Sequence, residues 1–318
     1  MNKNSEAITI LCSHLCVGEG VKPLEPKEWS NLAKMLLANN LQPSDLLDFS
    51  SSDFEQRLSL GAEYVARLTR LIDRSASLAF EISKYENIGV KIVTRADNEY
   101  PQKLKKKLGG GCPPLFYYAG SLKLLDTAAV GYVGSRDIDS EATDFAMRTL
   151  SKTISKGFGV VSGGAKGVDA VAEQASLTLD SPIVEFLSDS MLRRMRVGAV
   201  VRAIQDGKLL LLSAAKPDAG FNTGMAMMRN KYIYAHSEGT IVIKSEYNKG
   251  GTWAGAIENL SNGWTKEYCW SNSKYNGNME LIRRGAIPID DDWNGDLNDG
   301  TCDVSRFVQA SIFDKKPD

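Results

Sequence analysis

The sequence predicts an α/β protein, a mostly parallel sheet interleaved with helices and preceded by a small helical domain. Three observations predict it. Between Ala128 and Val171 two short apolar runs each end in a glycine turn, Gly134-Ser135-Arg136 and Ser162-Gly163-Gly164, with a helix-like segment over 140–156 between them. Strand, glycine turn, helix, strand, glycine turn, helix is a βαβα unit. Further apolar runs alternate with helical segments as far as Trp270, whereas the first 80 or so residues carry helical periodicity and no strand-like run.

Taken in order, residues 7–15 are apolar and helical. Residues 26–39 set Trp29, Leu32, Ala33, Leu36 and Leu37 at helical spacing behind Pro26, a residue suited to a first turn. Pro43 opens a further helix with Ser44 as its expected N-cap. Residues 51–58 make a short helix. Residues 63–82 read as one long helix with Val65, Leu68, Leu71, Ile72 and Leu78 on one face, and Arg67, Arg70 and Arg74 are expected on its solvated side. Residues 88–94 read as a strand. A lysine-rich helix with Lys103, Lys105, Lys106 and Lys107 on a solvated end follows Tyr100-Pro101, and 115–118 is a strand.

Beyond the central unit, strands are expected at 183–187, 208–212, 240–243 and 267–270. Residues 190–205 read as one helix, and Met225, Met227 and Met228 lead into Arg229-Asn230-Lys231 on another. Gly250-Gly251-Thr252 is a third glycine turn after a strand, with a helix over 253–260 behind it. The tail after Pro288 is acidic (Asp290, Asp291, Asp292, Asp296, Asp299) and is expected to be a loosely packed extension. The domains read from this pattern are a helical domain over 1–84, a sheet domain over 85–289 and the acidic extension over 290–318.

Composition narrows the chemistry. The chain of 318 residues suggests about two domains, and its 43% hydrophobic share supplies an ordinary core. The formal net charge is −1, so any nucleic-acid binding must come from a local patch. No apolar run approaches the ~18 residues of a membrane span, and the N-terminus does not read as a secretory signal. No membrane association is expected. The five cysteines are odd in number and scattered, which argues against a disulfide framework and for the cytoplasm. Cys12, His14 and Cys16 lie close together, but no second cluster completes four zinc ligands and their spacing fits a helix face. Neither metal nor cofactor is expected. With only two histidines, His14 and His236, little is available for histidine-based catalysis.

In a parallel sheet the glycine turns fall at the carboxyl ends of their strands, where open α/β sheets bind ligands. Glycine lets backbone N–H groups approach a ligand, and the following helix points its positive end at the turn. Ser135, Arg136, Ser162 and Lys166 add hydroxyls and positive charge. The guest this chemistry fits is a phosphate.

The order of the segments resembles the DprA/Smf family of DNA-processing proteins over about Tyr100 to Ile287. The resemblance rests on Tyr100-Pro101, Pro113-Pro114-Leu115-Phe116-Tyr117 with Gly120, Val133-Gly134-Ser135-Arg136, the run Val161 to Asp169, Arg229-Asn230-Lys231, the Gly250-Gly251-Thr252 turn, and Gly277-Asn278 with Leu281 to Ala286. It implies an extended Rossmann-like core with helices on both faces and no dinucleotide fingerprint. It also implies single-stranded DNA binding without enzymatic turnover, a homodimer, and the loading of a RecA-type recombinase in recombination and natural transformation. The implied DNA or phosphate contacts are Gly134, Ser135, Arg136, Ser162, Gly163, Gly164, Lys166, Gly167, Asp169, Arg229, Asn230, Lys231, Gly250, Gly251 and Thr252. Asp169 is expected to cap its helix or orient Lys166 and backbone N–H groups rather than to touch the anion.

The chain departs from the family pattern at four points. Glu173 stands where a His is usual, Ser213-Ala214 where Ser-Glu is usual, and Ala226 where a Phe precedes the Arg-Asn pair, with Phe221 nearby as a substitute. A terminal winged-helix domain is not expected. A second reading therefore stays open: a nucleotide-binding sensor, or a nucleotide hydrolase of the LOG type with Glu173 or Asp169 as its acid. Against the LOG turn Pro-Gly-Gly-x-Gly-Thr, this chain has Gly250-Gly251-Thr252 preceded by Lys249. A third is a protein-interaction module that has kept only the fold.

Overall fold

The computed structural model describes residues 1–298. The fold is mixed α/β with a nine-stranded, mostly parallel sheet. The chain forms two compact units, residues 1–126 with 185–229, and residues 127–184 with the described part of 230–318. It begins in the first unit with α1 (Lys3–Cys12), α2 (Pro26–Ala38), α3 (Ser51–Leu58), α4 (Ala62–Asp73), α5 (Ser75–Asn87), β1 (Lys91–Thr94), α6 (Gln102–Leu108) and β2 (Leu115–Ala119). It continues in the second with β3 (Ala129–Val133), α7 (Ser140–Ser155), β4 (Gly159–Ser162) and α8 (Val168–Thr178). Along β5 (Ile183–Leu187) it passes back to the first for α9 (Met191–Arg194), α10 (Gly198–Gln205) and β6 (Leu209–Ser213). Along α11 (Thr223–His236) it returns to the second for β7 (Gly239–Val242), α12 (Gly250–Asn262), β8 (Lys266–Trp270), α13 (Asn276–Arg283) and β9 (Ile287–Ile289).

Local chemistry sets the helix ends in the first unit. Pro26 opens α2, and Glu25 and Glu28 close a reciprocal capping box around it. Ser50 and Asp53 do the same for α3. The turn at Pro43 is a short 3-10 helix over Pro43–Leu47 capped by Gln42, so Ser44 lies inside it rather than at its cap. β1 and β2 pair antiparallel with Lys91 opposite Tyr118, and β2 pairs antiparallel with β6. The helices pack on these strands, and the Ser13 hydroxyl meets the Tyr117 phenol at 2.8 Å.

The long helix expected over 63–82 is two helices broken at Arg74, and the expected arginine stripe breaks with it. Arg74 is buried. Its guanidinium donates to the carbonyls of Ile10 (2.5 Å), Ser13 (2.8 Å) and Leu15. These carbonyls lie at and beyond the C-terminal end of α1, which lacks intrahelical partners and carries the negative end of the helix dipole. Arg67 is held too, gripping both Glu28 carboxylate oxygens at 2.7 and 3.0 Å and the carbonyls of Lys22 and Pro23. Of the three, only Arg70 stands exposed. Residues 190–205 likewise form two helices, α9 and α10, rather than one.

In the second unit β3 runs parallel to both β4 and β7, β7 to β8, and β8 to β9. Every residue of β3, β4 and β7 is buried, as strands covered on both faces must be. The Phe145 ring of α7 stacks on Trp270 of β8 at 4.2 Å. The acidic segment after Pro288 is described only as far as residue 298, and Asp299 lies outside the described residues. Up to that point it is packed, not loose. Trp293 and Leu297 are buried, the Trp293 ring lies 5.8 Å from that of Tyr268, and the Tyr268 phenol donates to the Leu297 carbonyl. Asp291 also accepts from Arg148 at 2.9 Å.

One acid is sealed into this core. Glu267 on β8 is 2% exposed and pairs across the sheet with Thr240. Asn259 of α12 donates to its Oε2 at 2.9 Å, while its Oε1 has no hydrogen-bond partner. Burial pushes the Glu267 carboxyl up to about 8, and the bond from Asn259 only partly opposes this.

Two outcomes are expected. Arg74→Ala leaves the carbonyls beyond α1 without a donor in a buried site and should lower unfolding stability by about 3 kcal/mol in a urea titration, with Arg74→Lys recovering only part. For Glu267 the folded state holds a proton that the unfolded state releases near the ordinary carboxylate range. Its contribution is therefore fully present below about pH 4 and is lost as pH rises through about 8. Glu267→Gln keeps the acceptor for Asn259 but cannot ionise. Melting temperatures measured from pH 4 to 9 should fall less for this variant than for the wild type, leaving the variant the more stable above pH 8.

Candidate nucleic-acid interface

Because β3 is parallel to both β4 and β7, the turns after these strands, at Gly134, Gly163 and Gly250, lie on one edge of the second unit's sheet. The three glycine turns therefore share the carboxyl edge, as the sequence requires of a phosphate site.

The first two turns are locked together. A Cβ at Gly134 would stand 2.3 Å from Val168 Cγ2. A Cβ at Gly167, whose φ is +75, would stand 2.2 Å from the Ser135 carbonyl oxygen and 2.7 Å from Arg136 Cα. The Val168 N–H reaches the Ser135 carbonyl at 3.3 Å, and the Ser135 N–H donates to the Lys244 carbonyl at 2.9 Å. Glycine is needed here so that one turn can pack on the other, a role separate from baring N–H groups to a ligand. The Ser135 hydroxyl accepts the Asp137 N–H at 3.1 Å. Ser162 is fully buried with its hydroxyl 3.4 Å from the Tyr132 carbonyl, so it faces the sheet, and Gly163 is buried beside it. Arg136 and Lys166 both stand exposed on this edge, with Gly164 half-buried.

Two of the following helices already hold an anion of their own at the N-terminus. Asp139 caps α7, accepting the Ala142 N–H at 2.9 Å and the Tyr275 phenol at 2.8 Å, with Lys274 Nζ at 3.3 Å and Lys244 Nζ at 3.7 Å. The Ala142 N–H first, then Tyr275 and Lys274, hold its carboxyl well below the usual carboxylate range. At α8, the buried Asp169 carboxylate accepts the Ala165 N–H at 3.2 Å. It braces the turn. Glu173 is half-buried further along the same helix. α12 has neither a side-chain cap nor an acid in its first turn.

The third turn differs in form from its expectation. Gly250, Gly251 and Thr252 are not a loop ahead of the helix; they are its first turn. Asn230 of α11 donates to the Gly251 carbonyl at 3.0 Å, and Lys231 pairs with Glu258 of α12 at 2.6 Å. Gly250 and Gly251 are exposed and Thr252 half-buried. Arg229 is buried and belongs to the first unit, as does Phe221, which is 54% exposed. Consecutive helical residues point about 100° apart, so three adjacent polar residues do not make one cluster. Asp139, Lys244, Lys274 and Tyr275 escaped the sequence reading. The signal for Asp139 was present, an Asp immediately before a helical run. Nothing in the pattern brings Lys244, Lys274 and Tyr275 to it.

These features define a class, a Rossmann-like α/β protein with cationic side chains on the carboxyl edge of its parallel strands. The family model for DNA recombination-mediator protein A matches residues 91–294, and the chain belongs to that family. It is 25% identical over 267 residues to DNA processing protein DprA of Bacillus subtilis (strain 168), covering 78% of this chain and 88% of that protein. The X-ray structure of DprA from Streptococcus pneumoniae is similar at a TM-score of 0.59 and 20% identity, covering 84% of this chain and 95% of that one. DNA processing protein A from Helicobacter pylori, whose structure is described for its single-stranded DNA binding mode, gives 0.52 and 21%, covering 71% of this chain and 97% of that one. At these identities the two structures bear on the fold. Among the described residues no helix is long and apolar enough to cross a membrane.

The interlock has a measurable consequence. Gly167→Ala drives a methyl into backbone atoms of the neighbouring turn at a positive φ and should lower stability by about 2–4 kcal/mol in denaturant. Gly207→Ala, at φ +69 with nothing within 4 Å, should lower it by only about 1 kcal/mol. Equal losses in the two variants would mean that backbone strain, and not turn packing, is what glycine relieves at 167.

Proposed function

We propose that this chain is a non-enzymatic single-stranded DNA-binding protein that contacts the phosphate backbone along the carboxyl edge of its second unit. The observation that carries the proposal is the exposure of Arg136 and Lys166 on turns that Gly134 and Gly167 lock together beside adjacent parallel strands. Charges fixed on a rigid edge attract a polyanion without prior ordering of the site. Because Asp139 already caps α7, side chains rather than the α7 amides would meet phosphate there. Membership of a recombination-mediator family and a relative described for single-stranded DNA binding support the same reading. On this reading the protein works in the cytoplasm as a homodimer and passes strands to a RecA-type recombinase.

A salt titration of oligonucleotide binding tests the proposal. For wild type, log affinity should fall linearly with log salt, and affinity should rise with strand length. Arg136→Ala and Lys166→Ala should each reduce the steepness by about 0.7, one phosphate contact's share on a single strand, for every sequence alike. Lys231→Ala should change it less, because Glu258 already balances that charge. Length-independent affinity with an unchanged slope in the Arg136 and Lys166 variants would refute the proposal and favour a mononucleotide ligand.

A further inference from the structure

Beyond phosphate contacts, a single strand offers bases, and the second unit carries an aromatic surface to meet them. Tyr247 lies in the short loop between β7 and α12 and is 54% exposed. The loop is a tight turn closed by an antiparallel bridge between Glu246 and Lys249, whose side chains also pair at 2.9 Å, with Asn248 at φ 54 between them. The Tyr247 ring meets Trp253 of α12 at 5.1 Å and 81°, an edge-to-face contact. Trp253 is itself buried, and the Arg284 guanidinium lies 5.4 Å from its ring centre. The exposed tyrosine is thus braced from below by a buried indole and fixed at both ends of its turn.

We propose that Tyr247 is a stacking platform for a nucleobase of single-stranded DNA. This rests on the reading that the chain binds such DNA, and it adds the residue that engages a base. Three features favour a base over another occupant. The ring is presented on the same sheet edge as Arg136 and Lys166. Along 276–284 Arg283 and Arg284 share the single acid Glu280, which leaves one positive charge over, suited to a strand whose bases are flanked by phosphates, while Lys249 is balanced by Glu246 and Lys244 faces Asp139. And Tyr247 is three residues from the exposed Gly250, at most ~11 Å of chain, so one nucleotide can span from ring to glycine turn. Stacking on such a ring is indifferent to base identity because every base has a π-face.

The test compares wild type, Tyr247→Ala and Tyr247→Phe by fluorescence anisotropy on an oligothymidylate and on an equally long abasic strand, which has the same phosphates and no bases. Tyr247→Ala should bind the oligothymidylate about tenfold more weakly, with an unchanged salt slope because no charge is removed. Tyr247→Phe should bind as wild type does. On the abasic strand all three proteins should bind alike. Wild-type affinity for the oligothymidylate in Tyr247→Ala, an equal loss on the abasic strand, or a loss in Tyr247→Phe as large as in the alanine variant would each overturn the platform while leaving backbone binding intact. Failure of the wild type to bind either strand would overturn the DNA reading itself and the platform with it.

Discussion

The carboxyl edge of the second unit depends on one steric constraint, the contact between the turns after β3 and β4. Gly134 leaves room for Val168, and Gly167 leaves room for the Ser135 and Arg136 backbone. With the turns this close, the Val168 N–H can reach the Ser135 carbonyl, and Ser135 in turn donates to Lys244 beyond β7. Backbone atoms of three neighbouring strand ends are tied in sequence, and the exposed cations ride on that tied frame. A side chain larger than hydrogen at either glycine would separate the turns.

The same edge shows how a chain with net charge −1 builds a local cationic surface. Two acids close to the strand ends are turned to structural use, while Asp137 stands exposed beside Arg136. Asp139 is committed to the first turn of α7, to Tyr275 and to Lys274, and Asp169 to the Ala165 amide. A carboxylate that satisfies helix amides offsets the helix dipole at its source and presents less charge to an approaching anion. Arg136 and Lys166 are exposed on the same edge.

Elsewhere buried polar groups mark where pattern reading and packing part company. Arg74 sits on a helical stretch with ordinary amphipathic spacing, yet it breaks that stretch and turns inward to the carbonyls beyond α1. Glu267 stands in a strand that reads as apolar and is kept largely neutral by burial. Both are explained by a specific partner or its absence, the carbonyl ends of α1 in one case and a single amide from Asn259 in the other. The carbonyls that Arg74 meets lie about 60 residues away in sequence, whereas Asn259 is eight residues from Glu267.

The sequence by itself determined the alternation of strands and helices, the three glycine turns after strands, and the family to which the chain belongs. The first two follow from local rules, since side-chain period distinguishes helix from strand and glycine clusters punctuate them, while the family follows from the resemblance of the motifs in order. β9 was too short to show a period. The break at Arg74 carries no proline or glycine to announce it. The candidate site was legible as a set of residues but not in its division of labour. Only the tertiary structure decided that Ser162 faces the sheet, that Arg229 is buried, that Gly134 and Gly167 serve turn packing, and that Asp139 and Tyr247 belong to the edge. The physical reason is that a side chain's role depends on its direction and on neighbours far away in sequence, 136 residues in the case of Asp139 and Tyr275. Spacing along the chain encodes periodicity, whereas those contacts exist only once the strands have been set side by side.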